Sequence, residues 1–213
     1  MRYARKWTAG ITALCAMAGV FYWFPPVRIL PLDEARQKRL SGTFDARTFA
    51  EQLWRESLVH ALDRAVAAPV LFTAINNDKV AARERYARTV GIGDIYYYFV
   101  AGTGRVVSVE EDTVALALGE SDEIDIVIET SMIFGNAVRN GTGLVNVNDF
   151  PNSRDFNNIS QELNRLVEER VLPPFRKAVK AGAKVRFAGC AEIVNENRDL
   201  HPLRIVPVAL EVE

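Results

Sequence analysis

The chain has 213 residues, of which 49% are hydrophobic and 25% are charged, enough apolar material for one sizeable core. Arg2, Arg5 and Lys6 precede the first acidic residue, Asp33, so residues 25–213 hold 23 of the 26 cations against all 27 acids, a net charge of −4. An acidic domain gains nothing from the counterions that phosphates release. We therefore expect no nucleic-acid partner.

Cysteine and histidine are too sparse for a disulfide framework or a metal cluster. Cys15 lies inside the first apolar run and Cys190 in the C-terminal half, so we do not expect the two to pair. His60 and His201 are far apart in sequence, and His60 lies beside a helical apolar stripe, as structural histidines do. We predict no metal site and no cofactor.

A candidate membrane segment stands at the N-terminus. Residues 7–24 contain no charged side chain, and as a helix these 18 residues would span about 27 Å, enough for the hydrocarbon core. Trp7 at one end and Tyr22-Trp23 at the other suit the two interfaces, and three cations precede the segment whereas Arg28 alone follows it closely. The pattern predicts a single-pass inner-membrane anchor (residues 1–26, with a cytoplasmic N-terminus) and a periplasmic globular domain.

Three alternatives to a retained anchor stay open. A cleaved signal peptide needs small residues before its cleavage site, and the segment ends in Phe-Tyr-Trp-Phe-Pro-Pro instead. Lipidation of Cys15 would want a small residue before it, where Leu14 stands. The third alternative is a buried helix of a soluble protein. The retained anchor fits the residues best.

Residues 27–90 read as a spacer followed by helices. Asp45 is a plausible N-cap for a helix to about Ala67, because apolar residues recur at three- and four-residue steps behind it. Pro69 ends this helix or starts the next. A second, more polar helix is predicted from Asp78 to Arg88.

From residue 91 the apolar periodicity changes to that of strands. Gly102-Thr103-Gly104 marks a bulge or bend in the first strand. A helix whose capping box is Asn158 and Gln161 interrupts the strands, and Pro173-Pro174 kinks or ends it. The predicted strands cover 95–109, 113–118, 124–129, 184–194 and 203–212.

This order is that of a five-stranded oligonucleotide/oligosaccharide-binding (OB) barrel with its helix between strands 3 and 4. The predicted fold class is therefore mainly β with helices (α+β), with the OB-like barrel at residues 91–213. We expect residues 27–213 to form one globular unit.

Several short stretches carry a resemblance to a known family. They run through residues 91–107, 132–139, 148–152 and 157–164, and the stretch 134–164 is the most specific. The chain resembles an uncharacterised bacterial family of predicted periplasmic lipoproteins. The resemblance implies an OB-like barrel in the envelope and a place near sugar-type ABC transporter components. Where such members carry a lipid-modified cysteine this chain has Pro26, which favours a transmembrane anchor.

One Asn- and Gly-rich stretch, residues 136–155, is the candidate binding site; we call it the amide segment. Its amides present donors and acceptors together, and a carboxylate near an arginine can grip hydroxyls, as a small polar solute such as a sugar requires. The competing interpretation is a long connection whose asparagines satisfy its own backbone. The candidate ligand-binding residues are Asn136, Arg139, Asn146, Asn148, Asp149, Phe150, Asn152 and Asp155.

No catalytic residue stands out in the sequence. Asp149 and Asp155 could form an acid/base pair, but nothing places them at a working distance and no histidine accompanies them. We expect a non-enzymatic, membrane-anchored accessory or binding module, linked to solute uptake. The alternative is a structural module that oligomerises or docks a protein and has no small ligand.

Overall fold

The fold described below is that of a computed structural model covering residues 44–91, 93–150 and 152–213. Asp45–Glu213 forms one compact unit. Among these residues no helix combines the length and apolar character needed to cross a bilayer. The predicted anchor at residues 7–24 lies outside the described residues.

The N-terminal part of this unit is helical. Asp45 caps α1 (Ala46–Gln52), because its carboxylate accepts from the amides of Arg47 and Thr48. The helix continues through a π-helical stretch, Leu53–Leu58, then α2 (Val59–Ala61) and a 3-10 turn, Leu62–Arg64. The predicted helix is confirmed, but its predicted end at Ala67 is wrong.

Two short strands, β1 and β2, limit the helices of this region. β1 (Val66–Ala67) pairs in parallel with Val100–Ala101, which draws the backbone out of the helix. β2 (Ala87–Thr89) pairs with Tyr96–Tyr98, so the helix predicted to reach Arg88 ends at Tyr86. Between the two strands lie α3 (Ala68–Asn77), with Pro69 in its first turn, and α4 (Lys79–Tyr86), capped by Asp78.

The remaining strands close on themselves through their pairings. β3 pairs with β4, β4 with β5, β5 in parallel with β7, β7 with β6, and β6 again with β3. This is the predicted succession of five strands, and the mixed α+β class is confirmed. Their bounds are β3 (Tyr96–Val109), β4 (Thr113–Ala117), β5 (Ile126–Glu129), β6 (Lys184–Ile193) and β7 (Leu203–Val212).

The predicted bulge at Gly102–Gly104 is wrong for the β3–β6 ladder, whose pairing is unbroken from Tyr96 to Arg105. The register of β3 shifts instead against β4, between Val106 and Ser108. Gly102 serves a close approach, because a Cβ there would lie 3.1 Å from the Phe187 ring.

The amide segment is not the irregular connection that its composition predicts. It contains α5 (Ala137–Thr142), which ends at Gly143 with φ +62°, and a 3-10 turn, Val147–Asp149. Asn152 then caps α6 (Ser153–Leu166). The predicted capping box at Asn158 and Gln161 is therefore wrong, because the N-cap stands six residues earlier.

The C-terminal elements complete the unit. A π-helical stretch, Val167–Val171, joins α6 to α7 (Leu172–Ala178), so the Pro173-Pro174 pair stands in the first turn of a new helix. The short α8 (Glu196–Asp199) lies between β6 and β7. The main core fills the closed sheet and includes Tyr98, Leu116, Ile128, Phe187 and Ile205.

Candidate functional site

A groove of about 720 Å³ lies beside the loop that follows β5. We call it the Phe134 groove. Its walls come from the ends of β5, β6 and β7, from α8 and from residues 132–137. Three of its apolar side chains stand out by their exposure: Met132 at 67%, Phe134 at 75% and Val194 at 56%.

The loop that carries Met132 and Phe134 is held by hydrogen bonds to α6 and to the π-helical stretch that follows it. Ile133 N donates to the Glu168 carboxylate at 2.7 Å, and Asn164 Nδ2 donates to Gly135 O at 3.1 Å. Ile133 itself is buried. The two exposed side chains therefore stand on a fixed backbone, and their exposure does not come from a loose loop.

Paired charges surround the apolar part of the groove. Arg204 donates to Glu129 at 2.6 Å, and Arg198 donates to Asp199 at 2.8 Å. The Arg198 guanidinium lowers the pKa of the Asp199 carboxylate, which also accepts from Val194 N and Asn195 N and so fixes the end of β6. Glu192 adds a half-buried carboxylate to the lining.

The sequence-predicted site residues are mostly engaged with one another and with local backbone. Asn146 Oδ1 accepts from Asn148 N at 3.0 Å, and both residues are exposed, as is Asp149. Asn152 Oδ1 accepts from Asp155 N at 2.9 Å, while Asn152 Nδ2 donates to the Asp155 carboxylate at 2.7 Å. These bonds form one turn and one helix cap.

Phe150 and Asn136 contact other elements of the fold. The Phe150 ring lies 5.7 Å from the Phe49 ring and 5.8 Å from the Phe156 ring, which ties the segment to α1 and α6. Asn136 Oδ1 accepts from Ser160 Oγ at 2.9 Å. That these residues bind a solute stays a prediction.

Arg139 is a buried cation, only 4% exposed. Its Nε donates to Asn140 Oδ1 at 2.9 Å, its Nη1 donates to Phe156 O at 2.8 Å and to Asn157 Oδ1 at 3.2 Å, and its guanidinium lies 3.6 Å from the Phe156 ring centroid. Burial lowers the pKa of Arg139 to about 10. No carboxylate among the described residues pairs with it.

A second, polar cavity of about 490 Å³ adjoins the amide segment. We call it the Arg88 cleft. Asn146 and Asn148 are the predicted site residues that line it; the other six do not. Arg88 also lines it and was not predicted, whereas the buried Asn140 belongs to the predicted segment but not to the eight candidate residues.

Tyr97 lies between the cleft and the groove. Its hydroxyl lies beside the Asn140 amide and the Glu192 carboxylate, and burial raises its pKa. Asn140 lines the cleft and Glu192 lines the groove. The Tyr97 hydroxyl therefore lies near one lining residue of each cavity.

The groove was missed because nothing in the sequence marks it. Met132-Ile133-Phe134 is a short apolar run typical of a buried strand, but in the fold its middle residue is buried and its outer two are exposed. The resemblance noted above includes these residues but gives them no role.

The two histidines lie in different surroundings. His60 is exposed, and the His201 ring lies 5.5 Å from the Phe72 ring. No group of three or more His, Cys, Asp and Glu side chains there is placed to hold a metal ion.

Comparison with known proteins bears on the fold and the family. A crystal structure of an OB-fold protein from Thermotoga maritima superposes with a TM-score of 0.72, at 26% identity, over 81% of this chain and 100% of the other. No curated protein matches the sequence. Residues 12–211 match the family of predicted periplasmic lipoproteins known as DUF2291. The chain belongs to that family, and its folded unit is similar to an OB-fold protein.

Proposed function

We propose that this protein is a membrane-anchored, non-enzymatic accessory module of the periplasm that docks a partner protein in its Phe134 groove. The observation that carries the proposal is the exposure of Phe134 and Met132 on a loop whose backbone is fixed. Large apolar side chains that stand together on a rigid surface are typical of protein contacts.

The surroundings of these side chains support the same reading. An apolar centre ringed by charged groups is the usual anatomy of a protein interface, and the Glu129–Arg204 and Arg198–Asp199 pairs supply such a rim. Burial of a side chain such as Phe134 by a partner would contribute about 1.5–3 kcal/mol. A pair of such anchors suits a specific contact of moderate strength.

The partner we propose is a component of a sugar-type ABC transporter. Support comes from the resemblance described above, which implies a place beside such systems, and from the family's periplasmic character. Residues 7–24 would hold the module at the inner membrane. Loss of membrane association on deleting residues 7–24, with no change when Cys15→Ser removes the only cysteine of that segment, is the expected result for a retained span.

Photo-crosslinking in native membranes tests the docking proposal. The full chain would carry p-benzoylphenylalanine at position 132, with Phe134→Asp added in the same chain as the test and Val80→Asp as the matched control. Val80 is 52% exposed and lies on α4, outside the groove lining. We expect one adduct of defined mass that Phe134→Asp abolishes and Val80→Asp leaves.

The identity of the adduct completes the test. A transporter component in the adduct supports the proposed partner. An adduct that persists in Phe134→Asp, or no adduct at all, overturns the docking function.

Self-association is a second candidate, favoured by a separate surface. Ala67, Ala101, Ala188 and Ala209 are paired in turn across β1, β3, β6 and β7, so their side chains share one face of the sheet. They line a shallow, mainly apolar trough of about 600 Å³. Sedimentation of the full chain in detergent would show a dimer that Ala101→Arg dissociates; a monomer at all concentrations rejects this candidate.

A further inference from the structure

The Arg88 cleft has a positive side chain in its lining and, among the described residues, no negative one. Its polar lining consists of one guanidinium, three side-chain amides and one hydroxyl, and no carboxylate lines it within the described part of the chain. Just behind Asn140 lies Arg139, a second cation without a described acidic partner. Neither cation forms an ion pair with a described acid, which makes the cleft attractive to an anion.

The Arg88 side chain lies at the C-terminal end of α5. Its Nη2 donates to Gly143 O at 3.4 Å, a long bond, and it forms no ion pair with any acid that the structure describes. A Cβ on Gly143 would come within 1.9 Å of the guanidinium, so this glycine leaves the room that Arg88 occupies. Most N–H groups of the planar Arg88 guanidinium therefore remain available to donate to a carboxylate.

Asn140 is only 5% exposed, and its amide orientation is fixed from behind. Arg139 Nε donates to Asn140 Oδ1, which leaves the Nδ2 group as the donor beside the Tyr97 hydroxyl. Asn146, Asn148 and Thr89 add amide and hydroxyl groups that can donate and accept. Such groups recognise the hydroxyls of a ligand better than an apolar surface.

We propose that the Arg88 cleft binds a small hydroxylated carboxylate, with the carboxylate on Arg88 and the hydroxyls among Asn146, Asn148 and Thr89. A neutral polyol would leave the guanidinium unpaired, and an inorganic anion would leave the amides unused. The site is separate from the Phe134 groove, since the two linings share no residue.

Isothermal titration calorimetry of the full chain in detergent tests the proposal. The ligands are gluconate and, as its neutral counterpart, glucose. We expect a gluconate Kd on the order of 1 mM, ordinary for so small a ligand, and at least tenfold weaker binding of glucose. Arg88→Gln should weaken gluconate binding about tenfold or more, because a charge-assisted pair is lost. Arg176→Gln, an exposed arginine outside the cleft, should change nothing.

Two further variants separate the possible failures. Asn148→Asp places a negative charge in the cleft and should weaken gluconate more than glucose, while Phe134→Asp should leave gluconate binding unchanged. No heat with gluconate at roughly ten times the expected Kd, equal affinities for gluconate and glucose, or an Arg88→Gln variant that binds as the wild type does would each overturn the proposal. Unchanged melting temperatures would show that Arg88→Gln and Asn148→Asp are folded.

Discussion

The loop at residues 130–135 and the amide segment that follows it use their side chains in opposite ways. The loop is apolar and exposes Met132 and Phe134, while its backbone is held by Asn164 and Glu168. The amide segment is rich in polar groups, yet most of these bond within the protein. Polar composition is therefore a poor guide to a free binding surface here, because asparagine side chains readily form hydrogen bonds with the backbone near them.

The largest effect on stability is expected from removing Arg139, the buried cation of the amide segment. Arg139→Ala should lower the free energy of unfolding by about 3 kcal/mol or more, because Asn140, Phe156 and Asn157 each lose a donor. Denaturation of the full chain in detergent measures it. Arg154→Ala, an exposed arginine at the start of α6, should stay within about 0.5 kcal/mol of the wild type. Equal effects of the two changes would contradict the structural role of Arg139.

Two asparagines of the amide segment offer a matched pair. Asn152→Ala should cost about 1 kcal/mol of unfolding free energy, because the cap of α6 is lost. Asn148→Ala should cost less than about 0.5 kcal/mol, since Asn148 is exposed and contributes only its backbone amide to the turn. Denaturation curves of the two variants measure both losses. A larger loss for Asn148→Ala than for Asn152→Ala would show that Asn152 does not stabilise the fold by capping α6.

The ion pairs that join α1 to α6 and to the π-helical stretch after it give a smaller, pH-dependent effect. Arg170 first, and Arg165 with it, lower the pKa of Glu51 in the folded state. A lowered folded-state pKa stabilises the fold above the unfolded pKa of about 4.3 and loses that contribution as the pH falls further. Glu51→Gln should therefore be less stable than the wild type at pH 7, and the difference should vanish towards pH 3. A difference independent of pH would exclude the ion pair as its source.

The smallest expected change in stability is at the most exposed apolar side chain. Phe134→Ala should alter the free energy of unfolding by less than about 0.5 kcal/mol, because the ring is 75% exposed and little packing is lost. Denaturation is again the measurement. A loss of 2 kcal/mol or more would mean that Phe134 serves the fold, and the contrast between the two regions would disappear.

Parts of this structure followed from local residue patterns. Asp45 and Asp78 cap helices because a carboxylate before a helical stretch satisfies its first amides. The isoleucines at every second position, Ile124, Ile126 and Ile128, likewise predicted β5, which begins at Ile126. The helix ends at Ala67 and Arg88 were misplaced, because pairing with β3 decides where those backbones leave the helix. No signal within the helix itself reports these partners, which lie 34 residues away for Ala67 and 9 for Arg88.

The lining of the Arg88 cleft could be predicted from local residue patterns only in small part. Asn146 and Asn148 do line the Arg88 cleft, but Arg88 comes from β2, more than 50 residues earlier, and only the packing of α5 against that strand brings it there. Asn140 was passed over although it lies inside the amide segment, because its burial and its fixed orientation depend on Arg139 and Tyr97.

The sequence by itself determined the class of fold and the family, because strand and helix periodicities and cap residues act locally and family stretches are read directly from residue order. The tertiary structure alone decided which side chains are free. Met132 and Phe134 face solvent, and Arg139 is buried without an acid, because of contacts between segments far apart in the chain. Exposure is a property of packing, and a residue's own chemistry does not fix it.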